Sequence, residues 1–76
     1  MIDTTAYRIH VERGPGNCSA FSPDVPGCVA TGRTVEECIA EMRSALTSHF
    51  EVMSDYGEPI PEPSGPGLYV EPEAAA

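Results

Sequence analysis

Positive charge is the scarcest commodity in this chain: 76 residues carry 12 carboxylates against four basic side chains, a formal charge of −8. All four are arginines, and none follows Arg43. Affinity for a phosphate backbone rests on Lys and Arg contacts, so direct nucleic-acid binding is not expected, and a basic protein is the natural partner. The same acidity keeps a small domain soluble. A cysteine framework is also absent. Cys18, Cys28 and Cys38 cannot all pair within one chain and have no C-x-x-C spacing, so they read as small buried apolar groups in a reducing compartment. The opening Met1-Ile2-Asp3-Thr4-Thr5 lacks the basic region and apolar run of a signal peptide. No apolar run reaches membrane length, which points to a cytoplasmic protein with no membrane contact. So short a chain has little core to spare and commonly leans on a partner.

What is present is organised around residues 23–37, where a sheet turns into a helix. Pro23 and Pro26 fix φ and push the residues before them into extended geometry, while Gly27 and Gly32 permit turns that a side chain would resist. Two bends are expected there. Thr34 followed by Glu37 is a capping box, the Thr hydroxyl accepting from the Glu37 amide and the Glu37 carboxylate reaching back to the Thr34 amide, so a helix starts at Val35.

Residues 6–12 alternate, with Tyr7, Ile9 and Val11 on one face and Arg8, His10 and Glu12 on the other, the pattern of a strand covered on one side. A turn at Gly14-Pro15-Gly16-Asn17 leads to a hairpin partner over 18–22, and residues 28–31 make a third, very short strand. From Val35, apolar Cys38, Ile39, Met42, Ala45, Leu46, Phe50, Met53 and Tyr56 recur at steps of three and four, a helix that stops at Gly57. The proline-rich stretch 58–67 is an extended connector, and 68–71 a fourth strand parallel to the first. The expected fold is α+β, a βββαβ domain over 1–71 with the helix on one sheet face, and 72–76 a frayed tail.

Candidate chemistry is thin. His49 sits on or beside the apolar stripe as a packing residue, His10 projects from the polar face of a strand, and the serines have no nucleophile setting. No catalytic group, metal ligand or cofactor is assigned. Glu51 and Asp55 lie near the negative end of the helix dipole, where carboxylates are unfavourable, so they are better placed facing a cationic partner. With Glu58 and Glu62 they form the candidate partner-binding surface.

The tyrosine-bearing first strand, Phe21-Ser22-Pro23-Asp24-Val25-Pro26-Gly27-Cys28, then Gly32-Arg33-Thr34 with Glu36-Glu37, and a helix closing at Gly57 before Ile60-Pro61-Glu62-Pro63-Ser64, together resemble the HicB-like antitoxin family. The resemblance runs over about residues 7–64. It implies a reduced ribonuclease H-like fold and a non-enzymatic domain that binds HicA, a small basic messenger-RNA-cleaving toxin, and blocks its active site. Family members usually add a C-terminal DNA-binding segment, and with twelve residues after Ser64 none is expected here. Free sheet edges and a bare sheet face point to a homo-oligomer, a dimer or a tetramer. Two other readings stand beside this one: a solitary oligomeric domain binding another protein or a small ligand, and a metal-dependent nuclease on the degenerate fold. For the nuclease, Glu12 and Glu71 would fall at the same ends of neighbouring parallel strands. With no third ligand and no cationic groove, they read as solvated rim carboxylates.

Overall fold

A computed structural model of the chain describes residues 2–71; the expected tail at 72–76 lies outside them. After a 3-10 turn at Thr4–Ala6 come β1 (Ile9–Gly14), β2 (Asn17–Ser22), β3 (Val25–Gly32), α1 (Val35–Asp55) and β4 (Leu68–Val70). The sheet order is β3-β2-β1-β4, with β1 antiparallel to β2, β2 antiparallel to β3, and β4 parallel to β1. This is the expected α+β arrangement, with β4 returning beside β1 after the helix.

Alternation along β1 decides which face is covered. Ile9 and Val11 are fully buried, and they join Tyr7, Cys18, Ala20, Val25 and Cys28 against Cys38, Met42, Leu46 and Phe50 of α1. Those four helical residues repeat every fourth position, a single ridge laid along the sheet. Tyr56 was expected on that stripe but is 78% exposed. Six residues at about 100° each carry it about 120° around the helix from Phe50, off the ridge, and it serves instead as the C-cap.

Two strand boundaries depart from expectation. β1 begins at Ile9 because the Asp3 carboxylate accepts from both the amide and the hydroxyl of Thr5, winding residues 4–6 into the 3-10 turn. β3 begins at Val25 rather than Cys28, so Pro26 and Gly27 lie inside a strand instead of bending out of one. The pairing explains how. Ser22 faces Val25 while its neighbour Phe21 faces Val29, which leaves Pro26, Gly27 and Cys28 as an unpaired bulge. β3 is an edge strand, where a proline's missing N–H costs no ladder bond, and Gly27 takes the left-handed φ of 84° that the bulge requires. The tight turn is Pro23-Asp24 alone.

The connector between α1 and β4 has no regular structure but is tied at two points. The Tyr7 hydroxyl donates to the Pro61 carbonyl, and Asp24 Oδ2 accepts from the Ser64 amide (2.9 Å) and hydroxyl (3.0 Å). Arg43 Nη1 donates to the Thr4 carbonyl at 3.1 Å, fastening the N-terminal turn to the helix.

Candidate functional site

Both ends of α1 are built as the sequence implies, with one difference. At the start, the Thr34 hydroxyl accepts from the Glu37 amide at 3.1 Å. The Glu37 carboxylate, however, takes the amide of Arg33 at 3.4 Å, one residue before the cap, rather than that of Thr34. Gly32 does not have positive φ; its role is close approach, since a Cβ there would sit 2.6 Å from the Cys38 nitrogen. At the far end the Glu58 amide bonds the Met53 carbonyl (2.8 Å) and the Gly57 amide that of Ser54 (3.1 Å), with Gly57 at φ 70°. That pair of bonds is a Schellman motif. It turns the chain sharply and holds Glu58 beside the last helical turn.

Glu51, Asp55, Glu58 and Glu62 are all exposed, and Glu51 and Asp55 stand one helical turn apart on the same face of α1. Among the described residues none of the four makes an ion pair. Glu62 is carried by the tethered connector close enough that, after burial and Asp24, its charge adds to the forces holding the Tyr7 phenol above its ordinary pKa. The helix therefore ends in unneutralised carboxylates, with no basic residue in its last turn to offset them.

The sheet face away from α1 carries two ordered rows. Cross-strand pairing lines up Tyr69, His10, Phe21 and Val29 from β4 to β3, and beside them, on the three strands β1, β2 and β3, Glu12, Ser19 and Thr31. Glu71 follows β4 next to Glu12, its amide bonded to the Val11 carbonyl at 2.8 Å. Tyr69 is 52% and Val29 67% exposed, so the first row is an apolar strip open to solvent.

His10 is not a free polar side chain, as strand alternation alone suggests. Its ring stacks on Phe21 (centroids 4.9 Å apart, 19° between planes) and makes a T-shaped contact with Tyr69, centroids 4.7 Å apart. Its Nε2 is buried without a hydrogen-bond partner and lies 3.9 Å from Glu71 Oε1. One ligand atom each from His10, Glu12 and Glu71 fall within 4.8 Å of one another. The pair of rim carboxylates thus has a third polar neighbour. The signal was in the sequence, because His10 and Glu12 are two apart in a strand and share a face. His49 is half-buried in a T-shaped arrangement with Phe50, centroids 6.3 Å apart, a packing position.

The three cysteines are buried free thiols. Burial pushes the thiols of Cys28 and Cys38 up, and Cys18 and Glu37 add to the effect at Cys38. A raised thiol pKa keeps the reactive thiolate scarce, so these side chains serve as core.

Fold and surface together define a small acidic α+β protein with one sheet face packed under a helix, the other open, and exposed carboxylates in the last turns of that helix with no basic residue in its last turn. Residues 7–73 match the family described as HicB_like antitoxin of bacterial toxin-antitoxin system, and the chain belongs to that family. It is also similar to a Haemophilus phage HP1 (strain HP1c1) protein named "Uncharacterized 14.9 kDa protein in rep-hol intergenic region", with 32% identity over 56 residues, 74% of this chain. The chain spans 42% of the length of that relative. No solved structure matches it. Among the described residues no helix is long and apolar enough to cross a membrane.

Proposed function

We propose that this protein is a non-enzymatic antitoxin that neutralises a small, basic, HicA-type messenger-RNA-cleaving toxin by binding it directly. The observation that carries the reading is the family match over 7–73. The acidic end of α1 supports it: Glu51, Asp55, Glu58 and Glu62 are exposed and lack cationic partners among the described residues, and Glu51, Asp55 and Glu58 stand at or just past the end of the helix where its dipole is already negative. Carboxylates held this way are unfavourable for the free protein and favourable once a cationic surface docks. A nuclease groove is the natural complement, because a protein that grips RNA must present positive charge. Association would be fast and directed by charge.

A second reading, self-association, is favoured by the open sheet face and by the two edge strands, β3 and β4. A twofold dimer or a pair of dimers would cover the Tyr69–Val29 strip and present two acidic helix ends at once. Co-expression tests the main reading: this chain should restore growth to cells producing a HicA-type toxin and should co-purify with it. A folded chain that neither binds the toxin nor restores growth overturns it. Sedimentation at micromolar concentration tests the second, and an 8.1 kDa species would exclude it.

A further inference from the structure

We infer that His10, Glu12 and Glu71 form a binding site for one divalent transition-metal ion of the Zn²⁺ class, on the sheet face opposite α1. The donor set is an imidazole nitrogen and two carboxylates, with ligand atoms within 4.8 Å of one another. An ion with bonds of about 2.0–2.2 Å to each ligand needs donors no more than about 4 Å apart, a gap that small side-chain rotations close. Imidazole selects against Mg²⁺ and Ca²⁺, which prefer all-oxygen shells, and in favour of Zn²⁺ and its neighbours.

Three independent features point to a ligand rather than to chance proximity. His10 Nε2 is a buried polar atom with no partner, the kind of orphan that is costly unless something coordinates or bonds it. Its ring is already fixed, stacked on Phe21 and in T-shaped contact with Tyr69, with Nε2 3.9 Å from Glu71 Oε1. Little side-chain entropy remains to be lost on binding. Finally, Glu71, just past β4 with its amide on the Val11 carbonyl, brings its carboxylate near that of Glu12 on β1, where like charges are unfavourable, and among the described residues no arginine pairs with either. A cation removes that repulsion. It also cross-links β4, only three residues long, to β1, which gives the site a structural consequence: the bound ion fastens the last strand.

Isothermal titration of untagged protein with ZnCl₂ tests this, run beside MgCl₂ and followed by thermal melts. The expected result is one Zn²⁺ per chain in the micromolar range, a raised melting temperature, and Mg²⁺ weaker by about tenfold or more. His10→Gln and Glu71→Gln should each weaken Zn²⁺ by about tenfold or more. His49→Gln should leave it unchanged. Glu12→Gln alters an exposed side chain outside the aromatic stack, so it preserves the test if His10→Gln fails to fold. Substituting Co²⁺ should give visible bands without the near-ultraviolet charge transfer of thiolate ligation, which separates this site from the cysteines. No saturable binding, equal binding by the site variants and the parent, thiolate bands, or Mg²⁺ binding as tight as Zn²⁺ would each overturn the assignment.

Discussion

Gly32 and the Cys38 backbone approach so closely that a Cβ on Gly32 would lie 2.6 Å from the Cys38 nitrogen and 2.9 Å from its Cα. The end of β3 and the first turn of α1 are in direct backbone contact, and nothing there is a flexible side-chain tip that could swing aside. The strand-to-helix hinge is therefore set by the absence of one methyl group.

Gly32→Ala should destabilise the protein by about 1–3 kcal/mol through overpacking. Gly27→Ala should cost about 1–2 kcal/mol for a different reason: its Cβ would meet nothing within 4 Å, but its φ of 84° is left-handed. Urea melts measure both. A second change distinguishes the causes, because Asn tolerates left-handed φ: Gly27→Asn should recover part of the loss, and Gly32→Asn none.

Much of this fold is legible from local sequence because local sequence determines it. Tyr7, Ile9 and Val11 alternate, Cys38 to Phe50 recur at helical spacing, Thr34 caps and Gly57 stops, and each pattern carries its own physical cause. What could not be read depends on partners distant in the chain. Pro26-Gly27 has the composition of a turn, and only the pairing of Phe21 with Val29 and Ser22 with Val25 makes it a bulge within β3. His10 looked like a solvated strand residue, and its environment is supplied by Phe21 from the neighbouring hairpin strand and Tyr69 from beyond the helix. Glu51 and Asp55 needed no such information, since exposure at the end of an amphipathic helix follows from the period itself.

Thr34→Ala should cost about 1 kcal/mol, because the Glu37 amide loses its acceptor. Glu37→Ala should cost less than about 0.5 kcal/mol, since the reciprocal bond to Arg33 is long, 3.4 Å, and exposed. Equal losses in paired thermal melts would show that both arms of the cap matter alike.

The Tyr7 phenol is held above its ordinary pKa first by burial and then by the carboxylates of Asp24 and Glu62. The native state thus binds this proton more tightly than the unfolded chain. Its contribution to stability is fully present below the unfolded phenol value of about 10 and is lost as pH rises through the higher native value. Tyr7→Phe should be less stable near neutrality by about 1 kcal/mol, for want of the bond to the Pro61 carbonyl. It should also lose less stability than the parent between neutral pH and about pH 11. Urea midpoints at the two pH values measure this, and parallel declines would locate the alkaline weakness elsewhere, the thiols of Cys28 and Cys38 being next in line.

The charge at the end of α1 gives the most direct test of the antitoxin reading, because there stability and binding respond with opposite signs. Glu51 and Asp55 are exposed carboxylates at the negative end of the helix dipole. Replacing both with Lys should therefore stabilise the free protein, by about 0.3–1 kcal/mol per site at low ionic strength. If a HicA-type toxin is steered by these charges, the same double reversal should slow association by about tenfold in low salt while changing dissociation much less. The parent rate should fall with added salt, as screening shortens the reach of the field to about 8 Å near physiological ionic strength, and the two proteins should converge there. Stopped-flow association across a salt series, with a thermal melt of each protein, measures both signs at once. A variant that is more stable yet slower to bind cannot owe its defect to unfolding. Rates independent of salt and of the reversal would remove this surface from the interface and move attention to the open sheet face, where Tyr69 and Val29 are exposed.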